Sequence, residues 1–396
     1  MNNYLQIVSE SVNIEDGEES IKNILIDIYF KDGISTKELA RKNLLPIPVV
    51  AAIKKEFIKQ GVLIQNRGVR LTERGRNFIG NQLGFLGLNK ELYMKLLEEP
   101  WKEHKEIREI KEVLGEIFIN RPEVDVTIDQ SKCTVDTAVK RAVLCLRNSA
   151  LIGKNILCLG DDDLVSIALG FLLKKLFADI KHCKTRIIVM DIDRRIMDYI
   201  NKVAKEEDLP VQCEYIDFKL PLPEKFKKKF DCLFTDPPYT LQGMELFLSR
   251  GVEALKNERG RTIFLSYGHK SPEFELNMQK IFVDMGLTVL DILNGFNAYD
   301  GAGIIGGIGQ MIVLKTTSRT KVSIGTSYEG KIYTGELKVT VRSYKCRGCG
   351  EIIKVGDLKE FKTIEELKAK GCRKCNNRIF NLIQKEMNKD GGAIGL

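Results

Sequence analysis

Asn155-Ile156-Leu157-Cys158-Leu159-Gly160-Asp161-Asp162-Asp163-Leu164 is the stretch whose reading decides the fold. Its first five residues read as a short buried strand, Gly160 as a tight turn, and Leu164 onward as a helix. Strand, glycine and helix in that order open a nucleotide-binding α/β domain. The usual turn continues with further glycines. Here it carries three consecutive carboxylates, which changes the ligand it can accept.

Downstream, the pattern repeats. Strands are expected at Arg186–Met190 leading to Asp191, at Val211–Tyr215 leading to Asp217, at Asp231–Thr235 and at Arg261–Ser266. Val124–Ile128 alternates like a strand ahead of a helix from Thr134. Two closing strands, Thr288–Leu293 and Gln310–Lys315, flank a glycine-rich loop. Strands alternating with helices imply a parallel sheet with ligands at the carboxyl ends of its strands. Asp191, about thirty residues after Gly160, suits hydrogen bonds to ribose hydroxyls. Gly160, Asp191 and Asp217 are thus expected around an adenosine-type ligand.

Asp236-Pro237-Pro238-Tyr239-Thr240 follows the fourth of these strands. The prolines fix φ and remove two backbone donors. Carbonyls, the Asp236 carboxylate and the Tyr239 ring then face one point. That suits an enzyme that alkylates nitrogen, because the lone pair must be free and aimed. The pattern resembles the amino-methyltransferases that use S-adenosylmethionine.

The triple aspartate bears on the donor. A methionine carboxylate among three carboxylates at ~4 Å loses several kcal/mol at intermediate dielectric. A sulfonium donor with an aminopropyl ammonium in its place gains instead. Decarboxylated S-adenosylmethionine is such a donor, and polyamines are matching polycationic acceptors. A solvated acidic loop or a divalent-metal site is the plainer alternative.

Residues 21–80 read as a winged helix-turn-helix. Ser35-Thr36-Lys37-Glu38 has capping-box spacing, Pro46 and Pro48 open a third helix, and two short strands flank Asn66-Arg67-Gly68. Such modules place a helix in a DNA groove, or serve dimerisation, or form a lid. Residues 86–120 follow as an amphipathic connector in which Trp101 is a packing anchor.

These features together resemble the branched-chain polyamine synthases, the N(4)-bis(aminopropyl)spermidine synthases. The likeness rests on Gly160-Asp161-Asp162-Asp163, on Pro237-Pro238-Tyr239-Thr240 and on the winged-helix-like region, and it covers about residues 1–318. It implies two successive aminopropyl transfers from decarboxylated S-adenosylmethionine to the central secondary amine of spermidine, with release of methylthioadenosine. Asp162 is then expected nearest the chemistry, with Asp161 and Asp163 holding ammonium ends of donor or acceptor. Asp236, Pro237 and Tyr239 orient the central nitrogen. Phe296, Tyr299 and Asp300 of the glycine-rich loop either line the acceptor tunnel or form a plain connection. The alternative activity is methyl transfer to a nucleic-acid amine.

Cys346-x2-Cys349 and Cys372-x2-Cys375 have four-cysteine zinc-ribbon spacing. A closed four-thiolate site is structural. From Arg319 to Lys389 there are 17 Lys/Arg against 8 Asp/Glu, so this tail carries the excess behind the chain's formal net charge of +8. The ribbon or the wing is therefore a candidate contact for nucleic acid, and a homodimer is the default assembly.

The boundaries are 1–85 for the winged-helix-like domain, 86–120 for the connector, 121–318 for a Rossmann-like, methyltransferase-type α/β domain, and 319–396 for the zinc-ribbon-like tail. The chain is 43% hydrophobic and 29% charged. No apolar run approaches the ~20 residues of a membrane span, and no signal peptide is read at the start. Ten cysteines without a secretory signal suggest reduced thiols and a cytoplasmic enzyme. Abundant Lys, Glu and Ile with few His point to a heat-adapted source.

Overall fold

The computed structural model describes residues 4–13, 17–66, 68–300, 307–334, 340–356, 359–361 and 364–387. Its centre is a seven-stranded mixed sheet. The strands are β3 (Asn155–Leu159), β4 (Arg186–Asp191), β5 (Val211–Tyr215), β6 (Cys232–Thr235), β7 (Thr262–Gly268), β8 (Leu287–Ala298) and β9 (Ile308–Thr316), in the order β5-β4-β3-β6-β7-β9-β8. β3 to β7 run parallel, and β9 is antiparallel to both β7 and β8. The order reverses at β3, so β3 and β6 part at their carboxyl ends and leave a crevice there.

Helices cover both faces. They are α8 (Val135–Arg147), α9 (Val165–Leu176), α10 (Arg194–Glu206), α11 (Leu241–Ala254) and α12 (Pro272–Asp284). Four begin with side-chain caps at the carboxyl end of the sheet or beside it: Thr134, Asp193, Thr240 and Ser271 each accept a backbone N–H of the first turn. β3 is buried from Ile156 to Leu159, so it reads as a nearly unbroken apolar run.

Ahead of the sheet stand α1 (Tyr4–Val12), α2 (Glu18–Phe30), α3 (Thr36–Lys42) and α4 (Ile47–Lys59). The antiparallel pair β1 (Leu63–Gln65) and β2 (Val69–Leu71) follows, then α5 (Glu73–Asn77). The connector is α6 (Lys90–Glu98) and α7 (Lys105–Ile119). One buried cluster runs from Tyr4 through α7 into α8, α9 and β9, so these parts share a core. Polar ties reinforce it: the Glu19 carboxylate accepts from Lys154 at 2.6 Å and from Arg261 at 3.1 Å.

Two local expectations are corrected. Val124–Ile128 is not a strand. Asp125 accepts the Thr127 N–H and hydroxyl, which closes a short 3-10 turn, Val126–Ile128, before Asp129 at φ 58°. The closing strands are also longer than expected, because β8 continues to Ala298; residues 301–306 of the glycine-rich loop lie outside the described set.

After β9 the chain passes back across α11. Arg250 donates to the carbonyls of Ile324 and Thr326, Thr240 donates to Ile332 O, and Asp129 accepts the Thr334 N–H. Beyond it β10 (Thr340–Cys346), β11 (Ile352–Val355), α13 (Ile364–Lys370) and β12 (Phe380–Met387) form a separate small unit with its own core of Tyr344, Val355, Phe361 and Leu367. No helix among the described residues is long and apolar enough to cross a membrane.

Candidate active site

A polar cleft opens in the crevice beyond β3 and β6. Gly160, Asp162, Asp191, Asp217, Asp236 and Pro238 all stand in its wall. Among the described residues of that wall Lys219 is the one cation, and Asp129 adds a further carboxylate. A cleft with this excess of carboxylates attracts cations and repels a phosphate backbone.

The three loop aspartates do different jobs. Gly160 takes φ 70°, and its N–H reaches Met190 O. Asp161 turns inward and caps α9: its carboxylate accepts the Val165 and Ser166 N–H groups at 2.7 and 3.0 Å. Leu164 at φ 54° makes room for that turn. Asp163 turns to the other side, accepting the Cys133 N–H at 2.6 Å and Arg141 Nη1 at 2.7 Å. Asp162, half-buried, accepts the Ser131 N–H at 2.8 Å and alone of the three lines the cleft. Thus neither Asp161 nor Asp163 is placed to hold a ligand ammonium; both are spent on backbone amides or on arginine.

Burial sets the protonation of these groups. It pushes Asp162 well above the ordinary carboxylate range, and neighbouring Asp163, Asp236 and Asp191 push the same way. Burial lifts Asp161 to about 7 despite its amide bonds. It also raises Asp191, whose oxygens accept the Asp161 and Asp193 N–H groups.

Asp236 gathers three donors on one oxygen, Oδ2: Tyr299 Oη at 2.6 Å, Ser266 Oγ at 2.9 Å and Arg141 Nη2 at 3.2 Å. Burial and the neighbouring Asp163 charge raise it to about 6, while Arg141 and the Tyr299 hydroxyl hold it down. Tyr239 Oη donates to Tyr299 Oη at 3.3 Å, so the Asp-Pro-Pro-Tyr turn and the end of β8 share one hydroxyl network.

Sequence reading missed the centre of that network. Arg141 on α8 is fully buried and also bonds Asn297, Ser266 and Tyr299. The only hint in the sequence is an arginine on the otherwise apolar, buried stripe of α8. Asp300 is placed differently from expectation. Its side chain is 63% exposed, 3.5 Å from Arg121, and it is not part of the cleft wall. Phe296 packs on Trp101 instead.

The four tail cysteines do converge. Cys346 and Cys375 are 3.5 Å apart at sulfur, as are Cys349 and Cys372, and all four sulfurs lie within 4.8 Å of one another. A tetrahedral zinc at ~2.3 Å from each sulfur needs edges of about 3.8 Å, so the set fits that ion.

Known proteins place these features in context. Residues 109–360 match the family model of the branched-chain polyamine synthase A C-terminal domain. An uncharacterized protein of Methanocaldococcus jannaschii is 35% identical over 98% of this chain and 94% of that protein. The N(4)-bis(aminopropyl)spermidine synthase of the same organism is 30% identical over 76% of this chain and 83% of that enzyme. The branched-chain polyamine synthase of Thermus thermophilus, solved with N4-aminopropylspermidine and 5'-methylthioadenosine, superposes with a TM-score of 0.51 at 21% identity, covering 84% of this chain and 96% of that one. That likeness establishes a shared α/β fold with a mixed central sheet. The chain belongs to the branched-chain polyamine synthase family.

Proposed function

We propose that this chain is an aminopropyltransferase, moving two aminopropyl groups from decarboxylated S-adenosylmethionine to the central nitrogen of spermidine to give the quaternary N(4)-bis(aminopropyl)spermidine. The observation that carries this reading is the pair Asp162 and Asp236, which face one cleft from the ends of adjacent strands with carboxylates raised by burial.

The chemistry follows. The neutral secondary amine attacks the propyl carbon next to the sulfonium. The carbon–sulfur bond breaks, its electrons stay on sulfur, and methylthioadenosine leaves. The new tertiary ammonium must lose its proton before a second attack. A carboxylate whose pKa has been raised toward neutrality is suited to take that proton, and an ionised one stabilises the positive nitrogen. Asp162 is the proposed acceptor, with Asp236 and Tyr239 orienting the amine and Pro237 fixing the turn. Gly160, Asp191 and Asp217 are proposed to hold the nucleoside.

Four further assignments belong to the same reading. The fit of the four sulfurs supports a structural zinc on Cys346, Cys349, Cys372 and Cys375 in a zinc-ribbon-like tail, where it would hold the two knuckles together. The α2–α4 helices with the β1–β2 hairpin are read as a winged helix. A homodimer is the proposed assembly, and the wing or the basic tail is the proposed place for any nucleic-acid contact.

Mass spectrometry of spermidine after incubation with the protein and decarboxylated S-adenosylmethionine tests the activity. Stepwise gain of one and then two aminopropyl groups is expected. Polyamine left unaltered with this donor would sink the reading.

A further inference from the structure

A cation already occupies an aromatic corner beside the cleft. The Lys270 ammonium lies 5.4 Å from the ring centroid of Tyr239, 5.9 Å from that of Tyr267 and 5.4 Å from that of Phe274. The rings pack on one another: Tyr239 and Tyr267 are 5.0 Å apart at 46°, and Tyr267 and Phe274 are 6.1 Å apart at 29°. They come from the turn after β6, the end of β7 and the first turn of α12. A cation within ~6 Å of a ring centroid is attracted by the ring quadrupole, and several rings around one cation recognise substituted ammonium groups.

A second observation points to a ligand. Tyr267 is fully buried, yet its hydroxyl has no hydrogen-bond partner among the described residues. Burial pushes its phenol pKa up, and Asp129, Asp236 and Glu275 push it the same way, so the hydroxyl stays neutral amid negative charge. The corner adjoins the reactive carboxylate through Tyr239, Tyr299 and Asp236.

We propose that Tyr239, Tyr267 and Phe274 form a subsite for a substituted ammonium, with the Lys270 side chain as its intramolecular occupant until a ligand displaces it. This deepens the aminopropyl-transfer reading and rests on it for the identity of the ligand, the alkylated central nitrogen of the acceptor. A quaternary nitrogen has no N–H to offer a carboxylate. Aromatic faces stabilise its charge without one, so the subsite favours the quaternary ammonium that forms in the second transfer.

Calorimetric titration of the full-length protein with tetramethylammonium chloride tests this, against sodium chloride at equal ionic strength. Wild type is expected to bind saturably, Phe274→Leu about tenfold more weakly, and Lys270→Met more tightly, with thermal unfolding confirming that each variant is folded. Unchanged affinity in Phe274→Leu, or no saturable binding by Lys270→Met, overturns the subsite. Transfer assays form a separate arm. If wild type transfers aminopropyl groups and Phe274→Leu makes the doubly alkylated product equally fast, the subsite fails and the transfer reading stands. If tetramethylammonium binding depends on Phe274 but no aminopropyl group moves, the subsite stands and the transfer reading fails.

Discussion

Arg141 and Asp163 form a buried ion pair, with Nη1 2.7 Å from the carboxylate and only 2% and 3% of the two side chains exposed. The same guanidinium reaches Asp236 through Nη2 at 3.2 Å. One planar cation thus lets two carboxylates stand side by side out of water. Arg141→Met would leave both without it. Breaking such a pair costs about 3–5 kcal/mol, so the midpoint of denaturant unfolding should drop sharply. Lysine offers a point charge where the guanidinium fork serves five acceptors, so Arg141→Lys should recover only part of the loss. An unaltered midpoint in Arg141→Met would show that the pair stabilises nothing.

The proton content of the acidic cleft gives a stability prediction with a definite sign. Asp161, raised to about 7, Asp236, raised to about 6, and Asp191 all favour the protonated form when folded. Their contribution is complete below the ordinary carboxylate value and is lost as pH rises through 6–7. Glu19 and Asp231 are lowered by Lys154 and its neighbours against the cost of burial, so their contribution fails only at more acidic pH. Lys22, depressed by burial to about 7, and Lys315, depressed to about 8, have largely lost theirs by pH 7. The free protein should therefore gain thermal stability from about pH 7 to 5, with roughly 2–4 °C for each kcal/mol. Saturating spermidine favours the anionic carboxylates and should flatten the gain. A free protein whose Tm falls steadily over that window would contradict the assigned protonation.

What the sequence made legible was local. The apolar run into Gly160, the proline-fixed turn after β6 and the paired cysteine knuckles each carry their meaning within a few residues. What stayed hidden depends on tertiary placement. Asp161, Asp162 and Asp163 look alike in the chain, and only the left-handed Leu164 sends the first to cap α9 while the second meets the cleft. Arg141 lies far in sequence from Asp236, Ser266 and Asn297, and nothing local in α8 shows that these meet. Val124–Ile128 failed because Asp125 competes for its own backbone, which apolar alternation does not register.

The Tyr299 hydroxyl offers a pH test of the site. Its 2.6 Å bond to Asp236 stabilises the carboxylate and holds its pKa down toward about 6. Tyr299→Phe removes that donor. If transfer needs ionised Asp236, the acid limb of kcat/KM should lie near pH 6 in wild type and move to higher pH in the variant. A profile that loses height without moving would assign Tyr299 to packing alone.

The tail makes a metal prediction. Purified protein should contain about one zinc per chain, as four-thiolate sites do, and Cys349→Ala or Cys372→Ala should lose it. Among the described residues the buried apolar cluster of this unit is small: Tyr344, Val355, Phe361 and Leu367. Without metal, the amide hydrogens of β10 and β12 should exchange faster. Those of β3 and β6 should exchange as before. Full protection of the tail after chelation would rule out a structural metal.

Asp162 sets the most direct test of the chemistry. It alone of the loop aspartates lines the cleft, and among the described residues its carboxylate is held by one backbone N–H, from Ser131. Asparagine keeps the shape and that acceptor but cannot take a proton. Asp162→Asn should therefore lower the transfer rate by about 10²–10⁴-fold, the usual span for a general base. Methylthioadenosine affinity should change little, because Gly160, Asp191 and Asp217 remain. Asp161→Asn separates the roles. Its carboxylate caps α9, so that variant should lose stability, by about 0.5–2 kcal/mol, more than rate. Equal rate losses in the two variants, with equal losses in unfolding free energy, would mean that both aspartates serve the fold and that the proton acceptor lies elsewhere, with Asp236 next in line.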